Sequence, residues 1–135
     1  MPKLVEVWMD LNPQLTGSLP DWLATDIPAL QSVSFTSCGL SGSLPTNIGL
    51  LTNMKQLWLY NNTFGGPVPS DWSRMVNLER LELQANSLTG VIPTEICYNR
   101  LAKLTTLEAD CNICEAAADP NCCTCCGAEC ITADN

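Results

Sequence analysis

The stretch Leu78-Glu79-Arg80-Leu81-Glu82-Leu83-Gln84-Ala85-Asn86-Ser87-Leu88-Thr89-Gly90-Val91-Ile92-Pro93 decides how the rest of the chain reads. Apolar residues fall at Leu78, Leu81 and Leu83; an Asn, a further Leu and a Gly-x-x-Pro tetrad follow at fixed distances. Upstream the same order recurs. Triads stand at Leu4/Val7/Met9, Leu30/Val33/Phe35 and Met54/Leu57/Leu59, and a fifth, Leu104/Leu107/Ala109, lacks the tetrad. The matching tetrads are Gly17-Ser18-Leu19-Pro20, Gly42-Ser43-Leu44-Pro45 and Gly66-Pro67-Val68-Pro69. Starts at 4, 30, 54, 78 and 104 give periods of 26, 24, 24 and 26, so the chain is a repeat array.

Within a unit, alternation around the second and third apolar positions marks a short strand with one buried face. A ladder position follows, held by Asn12, Cys38, Asn62, Asn86 and Asn112, whose amides can satisfy backbone groups where the chain leaves the strand. Leu15, Leu40, Phe64 and Leu88 then re-enter the core. Gly and Pro favour an extended, polyproline-like return. One unit cannot bury its apolar side alone, so units stack with parallel strands about 4.8 Å apart.

This pattern, LxxLxLxxNxLxGxIPxxL, resembles plant-type extracellular leucine-rich repeats from Leu4 to about Asn112. The resemblance implies an α/β, right-handed solenoid with short parallel strands on the concave face, polyproline and 3-10 segments on the convex side, and little helix. Residues 1–112 then hold five repeats, the first and last atypical, and residues 113–135 a cysteine-rich C-terminal cap. The tail is similar to those of secreted or surface repeat proteins of diatoms and related algae. Two departures stand out. Repeats one and four carry extra residues, Pro13 and a segment within Tyr98–Lys103. The cysteine-bearing N-terminal cap usual in the family is absent, so upstream repeats, a partner or another copy are expected to cover the first repeat's edge.

With 135 residues there is room for one domain, and no apolar run approaches the roughly 20 residues of a membrane-spanning helix. The net charge of −8 argues against nucleic acid, whose phosphates would be repelled. Nine cysteines, five of them between Cys122 and Cys130, suit export through the secretory pathway to the outside or the cell surface. No signal peptide is visible, so either one has been removed or the chain is part of something longer.

Side chains between the buried positions are expected on the concave face. One column reads Trp8, Ser34, Trp58, Glu82, Glu108; its neighbours read Asp10, Thr36, Tyr60, Gln84, Asp110 and Glu6, Ser32, Gln56, Arg80, Thr106. The candidate binding residues are therefore Trp58, Tyr60, Trp8, Arg80, Glu82, Gln84, Glu108 and Asp110. Exposed aromatics on a rigid sheet are good anchors for a partner; the alternative is that the tryptophans only cover neighbouring repeats. Glu82 and Glu108 on adjacent strands raise the thought of paired carboxylates for hydrolysis. Arg80 beside them, the lack of a deep cleft and a chain without histidine oppose it, so no enzyme and no cofactor are expected. Glu82, Glu108 and Asp110 offer oxygens that suit a Ca²⁺, but a solvated acidic patch is the preferred reading. Asn61-Asn62-Thr63 is the one N-glycosylation sequon, with Asn61 as acceptor.

Cys38, at a ladder position, is expected to be a buried free thiol. Eight cysteines remain for four disulfides: Cys97, Cys111, Cys114, Cys122, Cys123, Cys125, Cys126 and Cys130. Sequence does not choose among their pairings. Adjacent cysteines should not bond to each other, and Cys97 should tie its rim loop to the tail. A four-thiolate zinc site is the rival. The function these observations favour is a non-catalytic recognition module for a protein, peptide or glycan. The alternative is a structural or adhesive subunit contacting neighbours through its N-terminal edge. An ice-binding surface would need a regular array of Thr or similar residues, and Thr16, Ser41, Gly65 and Thr89, which share one outer position, leave it incomplete.

Overall fold

The computed structural model describes residues 4–114 and 121–126. Its strands in chain order are β1 (Glu6–Trp8), β2 (Thr16–Gly17), β3 (Ser32–Ser34), β4 (Gly39–Ser43), β5 (Gln56–Trp58), β6 (Thr63–Gly66), β7 (Arg80–Glu82), β8 (Ser87–Leu88), β9 (Thr106–Ala109) and β10 (Cys125–Cys126). They form two parallel sheets: β1-β3-β5-β7-β9-β10 and β2-β4-β6-β8. In the first sheet Val7, Val33, Leu57, Leu81 and Leu107 pair in one row. From Val33 onward these side chains are almost wholly buried.

The polyproline-like return is present at Pro45, Pro69 and Pro93, with φ of −58° to −70° and ψ of 133° to 137°. The second sheet, which the sequence did not suggest, precedes it. Extended backbone after each ladder residue puts N–H and C=O groups beside those of the next unit, and they pair. Its register is also staggered against the repeat alignment: Ser41 pairs with Thr63, and Ser43 with Gly65. Thr16, Ser41, Gly65 and Thr89 therefore do not form one row, which removes the hydroxyl column considered for ice.

Each of the first four units leaves the first sheet through one left-handed residue: Leu11, Ser37, Asn61 and Ala85 have φ of 55° to 62°. The ladder residue follows and braces this turn. Asn62 Nδ2 donates to the carbonyls of Phe35 and Leu59, while its Oδ1 accepts from the N–H groups of Cys38 and Leu40. Asn86 repeats the arrangement, donating to Leu59 and Leu83 and accepting from Phe64. Cys38 donates its thiol to the Met9 carbonyl at 3.1 Å and is free, but only half-buried rather than enclosed as expected. Asn12, its counterpart in the first unit, is solvent-exposed and gives little cover. Asn112 departs from the ladder as well, because it lies in a short helix and donates to Leu88.

The convex side carries α1 (Trp22–Asp26), α2 (Thr94–Tyr98) with a short 3-10 extension at Asn99–Leu101, and two separate 3-10 turns, Thr46–Leu50 and Ser70–Arg74. Trp72, 1% exposed, fills the core between turns and donates Nε1–H to the Pro45 carbonyl. Gly49 lets the two 3-10 turns approach, since a Cβ there would lie 2.3 Å from the Asp71 carbonyl oxygen. Gly49→Ala should cost about 1–3 kcal/mol by forcing backbone apart. An unchanged urea midpoint would show that the turns can separate freely.

Candidate functional site

Pairing in the first sheet aligns Trp8, Ser34, Trp58, Glu82 and Glu108 in one column. Ser34 is short, so Trp8 and Trp58 lean across it from strands on either side. Their ring centroids are 5.1 Å apart with planes tilted 36°, a favourable offset arrangement. Ser34 is buried beneath them, while Trp8 stays 52% exposed and Trp58 half-buried. Each indole N–H meets a carboxylate: Trp8 donates to Glu6, Trp58 to Glu82 at 2.6 Å. Tyr60 is half-buried in the next column. There Asp10 accepts from the Ser34 hydroxyl and the Thr36 N–H, which fixes the N-terminal end of the platform. The contributions of Glu6 and Ser34 went unnoticed in the sequence. The usable signal was a small residue between two tryptophans in one column.

The C-terminal half of the face differs from expectation. Glu82, Gln84 and Glu108 are 1%, 0% and 5% exposed, so they are not available to a partner. Their polar atoms largely serve one another, leaving Gln84 Oε1 buried without a hydrogen-bond partner among the described residues. Arg80 Nη1 lies 2.6 Å from Glu82 Oε2. Gln84 Nε2 donates to both Glu82 Oε1 and Glu108 Oε2, bridging two carboxylates that would otherwise repel. Trp58 seals one side, and β10 extends the sheet beyond Glu108. Asp110 accepts from the N–H groups of Ala85 and Asn86, bracing a left-handed turn. The expected acidic patch is thus an internal polar seam. Among the described residues no group of three or more His, Cys, Asp or Glu is arranged to hold a metal ion.

Asn61 is exposed at the strand exit, its Nδ2 3.0 Å from the Ser37 hydroxyl. Beyond the last repeat, disulfides join Cys97 to Cys122, Cys111 to Cys126 and Cys114 to Cys123. The adjacent cysteines 122 and 123 go to different partners, and the first bridge ties α2 to the tail. Cys130 and the side chain of Cys125 lie outside the described residues.

A family model described as Leucine Rich Repeat matches residues 77–99. The chain folds as a leucine-rich repeat solenoid. No curated protein matches it. Among solved structures the solenoid resembles a plant peptide hormone receptor, RGFR1, in complex with RGF2, with a TM-score of 0.73 and 28% identity. That match covers 79% of this chain and 17% of the receptor. The BIR3–SERK2 complex from Arabidopsis thaliana gives 0.62 at 36% identity, covering 66% of this chain and 48% of the other. A plant ice-binding protein gives 0.69 at 29% identity over 79% and 33%. The solenoid therefore spans half or less of the length of these structures. Its likeness is to plant extracellular leucine-rich repeat proteins, including receptor ectodomains.

Proposed function

We propose that this solenoid is a non-catalytic, extracellular or surface recognition module that engages a protein or peptide through the N-terminal half of its concave face. The stacked Trp8–Trp58 pair carries the reading, with Tyr60 beside it. Aromatics held on a parallel sheet offer contact area at little entropic cost, as binding anchors require. Plant neighbours, one a peptide hormone receptor in complex with RGF2 and another in complex with a peptide hormone and a co-receptor, support a protein- or peptide-binding role. Three disulfides among the described residues suit an oxidising compartment. Asn61 is the proposed attachment point for an N-linked glycan, next to Tyr60.

The acids Glu6 and Asp10 at this end favour partners bearing Lys or Arg, which also gain cation–π contact with Trp8. A displayed peptide library selected on the immobilised solenoid tests the reading. Enriched peptides should carry basic residues and lose at least tenfold in affinity, about 1.4 kcal/mol, for Trp8→Ala combined with Tyr60→Ala. Equal affinity for the double variant would sink it.

A second reading, assembly through the edge of β1, draws on Leu4, Val5, Met9 and Leu11, all exposed there. Light scattering separates the two, because the concave-face variants should leave any assembly intact.

A further inference from the structure

We propose a second binding site, on a different face, for a neutral β-linked pyranose unit of a glycan. It is a recess of about 430 Å³ where the second sheet meets the convex side of the first two repeats. That size falls within the range of small-ligand pockets, about 300–1,000 Å³. Two of the Gly-x-x-Pro tetrads form it: Ser18, Leu19 and Pro20 from the first, Ser43 and Pro45 from the second. Asp21 and Trp22, at the start of α1, make the remaining wall.

Four of the residues that line this space carry polar groups with no side-chain hydrogen bond among the described residues. Asp21 precedes α1 but makes no side-chain capping hydrogen bond. The hydroxyls of Ser18 and Ser43 and the indole N–H of Trp22 likewise have no hydrogen-bond partner among the described residues. Trp22 is 51% exposed, while its neighbour Leu23, 1% exposed, supplies the core contact. Nothing in the packing of the first repeat therefore requires an indole at this position. Later repeats place Asn47, Asp71 and Glu95 there, and replace the serines with Pro67 and Val91. The constellation belongs to repeats one and two alone.

Its chemistry fits a sugar ring. A pyranose with equatorial hydroxyls presents a flat C–H face that covers an indole, whereas an axial hydroxyl would hold the ring off. A carboxylate with two oxygens accepts from two vicinal hydroxyls, and the serines and the indole N–H complete the set. Asp21 and the chain's net charge of −8 disfavour uronates and sulfated sugars.

Titration with cellohexaose, a neutral β-linked glucose oligomer, followed by calorimetry and tryptophan fluorescence, tests the assignment. Saturable binding is expected for the wild type. Trp22→Ala should abolish it and Asp21→Asn weaken it at least fivefold, with circular dichroism unchanged because both side chains are exposed. Ser43→Ala gives a milder variant that keeps the test open should Trp22→Ala disturb α1. Trp8→Ala with Tyr60→Ala should leave cellohexaose binding untouched, so the concave-face proposal and this one fail separately. Absence of saturation, full binding by both Trp22→Ala and Asp21→Asn, or equal binding of α-linked maltohexaose would overturn it.

Discussion

Asn62→Ala should lower the stability of the folded chain by roughly 3–4 kcal/mol, since each buried backbone group left unpaired costs about 1–3 kcal/mol. Asn62 is 7% exposed and holds groups from two consecutive repeats. It accepts from the N–H groups of Cys38 and Leu40, and donates to the carbonyls of Phe35, Leu59 and Tyr60. Leu59 keeps a second donor in Asn86, but among the described residues no other donor reaches the Phe35 carbonyl. An alanine methyl replaces none of this, and the space is too enclosed for water to do so cheaply. The size of the effect should follow burial along the ladder. Asn86, half-buried and accepting from Phe64 alone, should cost less when changed to Ala. Asn12, exposed and bonded only within its own repeat, should cost least. Urea midpoints at constant slope measure the series. An Asn12→Ala loss as large as that of Asn62→Ala would mean the ladder does not join repeats.

The same ladder explains why Cys38 is tolerated. A thiol donates but is a weak acceptor. Its donor role is filled by contacts to the carbonyls of Met9 and Thr36. The acceptor role it lacks would serve N–H groups in the first repeat's turn, where Asn12 and Gln14 are exposed and water is at hand. Only the first interface of the solenoid can accept such a replacement at low cost.

Repeat spacing made the first sheet legible because a one-residue slip would turn every side chain to the wrong face. The row Val7–Val33–Leu57–Leu81–Leu107 and the column Trp8–Ser34–Trp58–Glu82–Glu108 both follow from that constraint. The second sheet was harder to see. Its strands carry glycines and hydroxyls with no strong alternation, and their stagger of two residues breaks the repeat alignment. Exposure on the concave face was harder still. Orientation can be read from period two, but the burial of Glu82, Gln84 and Glu108 depends on how side chains from three strands fold over one another. No local pattern encodes the amide of Gln84 reaching two carboxylates. The recess at Trp22 was missed for a related reason, since its four polar groups meet only after two tetrads are stacked side by side.

Removing the Cys97–Cys122 bridge by paired alanine substitutions should cost about 3 kcal/mol, the loop-closure value for a separation of this order. The two cysteines are 25 residues apart and almost wholly buried, so alanine rather than serine avoids stranding hydroxyls in the core. Among the described residues the tail gives the core only Ile113 and cysteines, so cross-links are expected to hold it against the last repeat. In a solenoid each unit is stabilised chiefly by its neighbours, so the damage should begin at the open end and fade with distance. Amide exchange is expected to accelerate first in β9, whose Leu107 is otherwise fully buried, while β3 keeps its protection until global unfolding. Intact mass without reductant should lie at least six hydrogens below the reduced mass in the wild type, two for each of the three bridges, and the difference should be two hydrogens smaller in the variant. Uniform acceleration across all repeats would show that the chain opens as one cooperative unit. Unchanged exchange in β9 would instead mean that the stacked leucines hold the last repeat closed without the bridge.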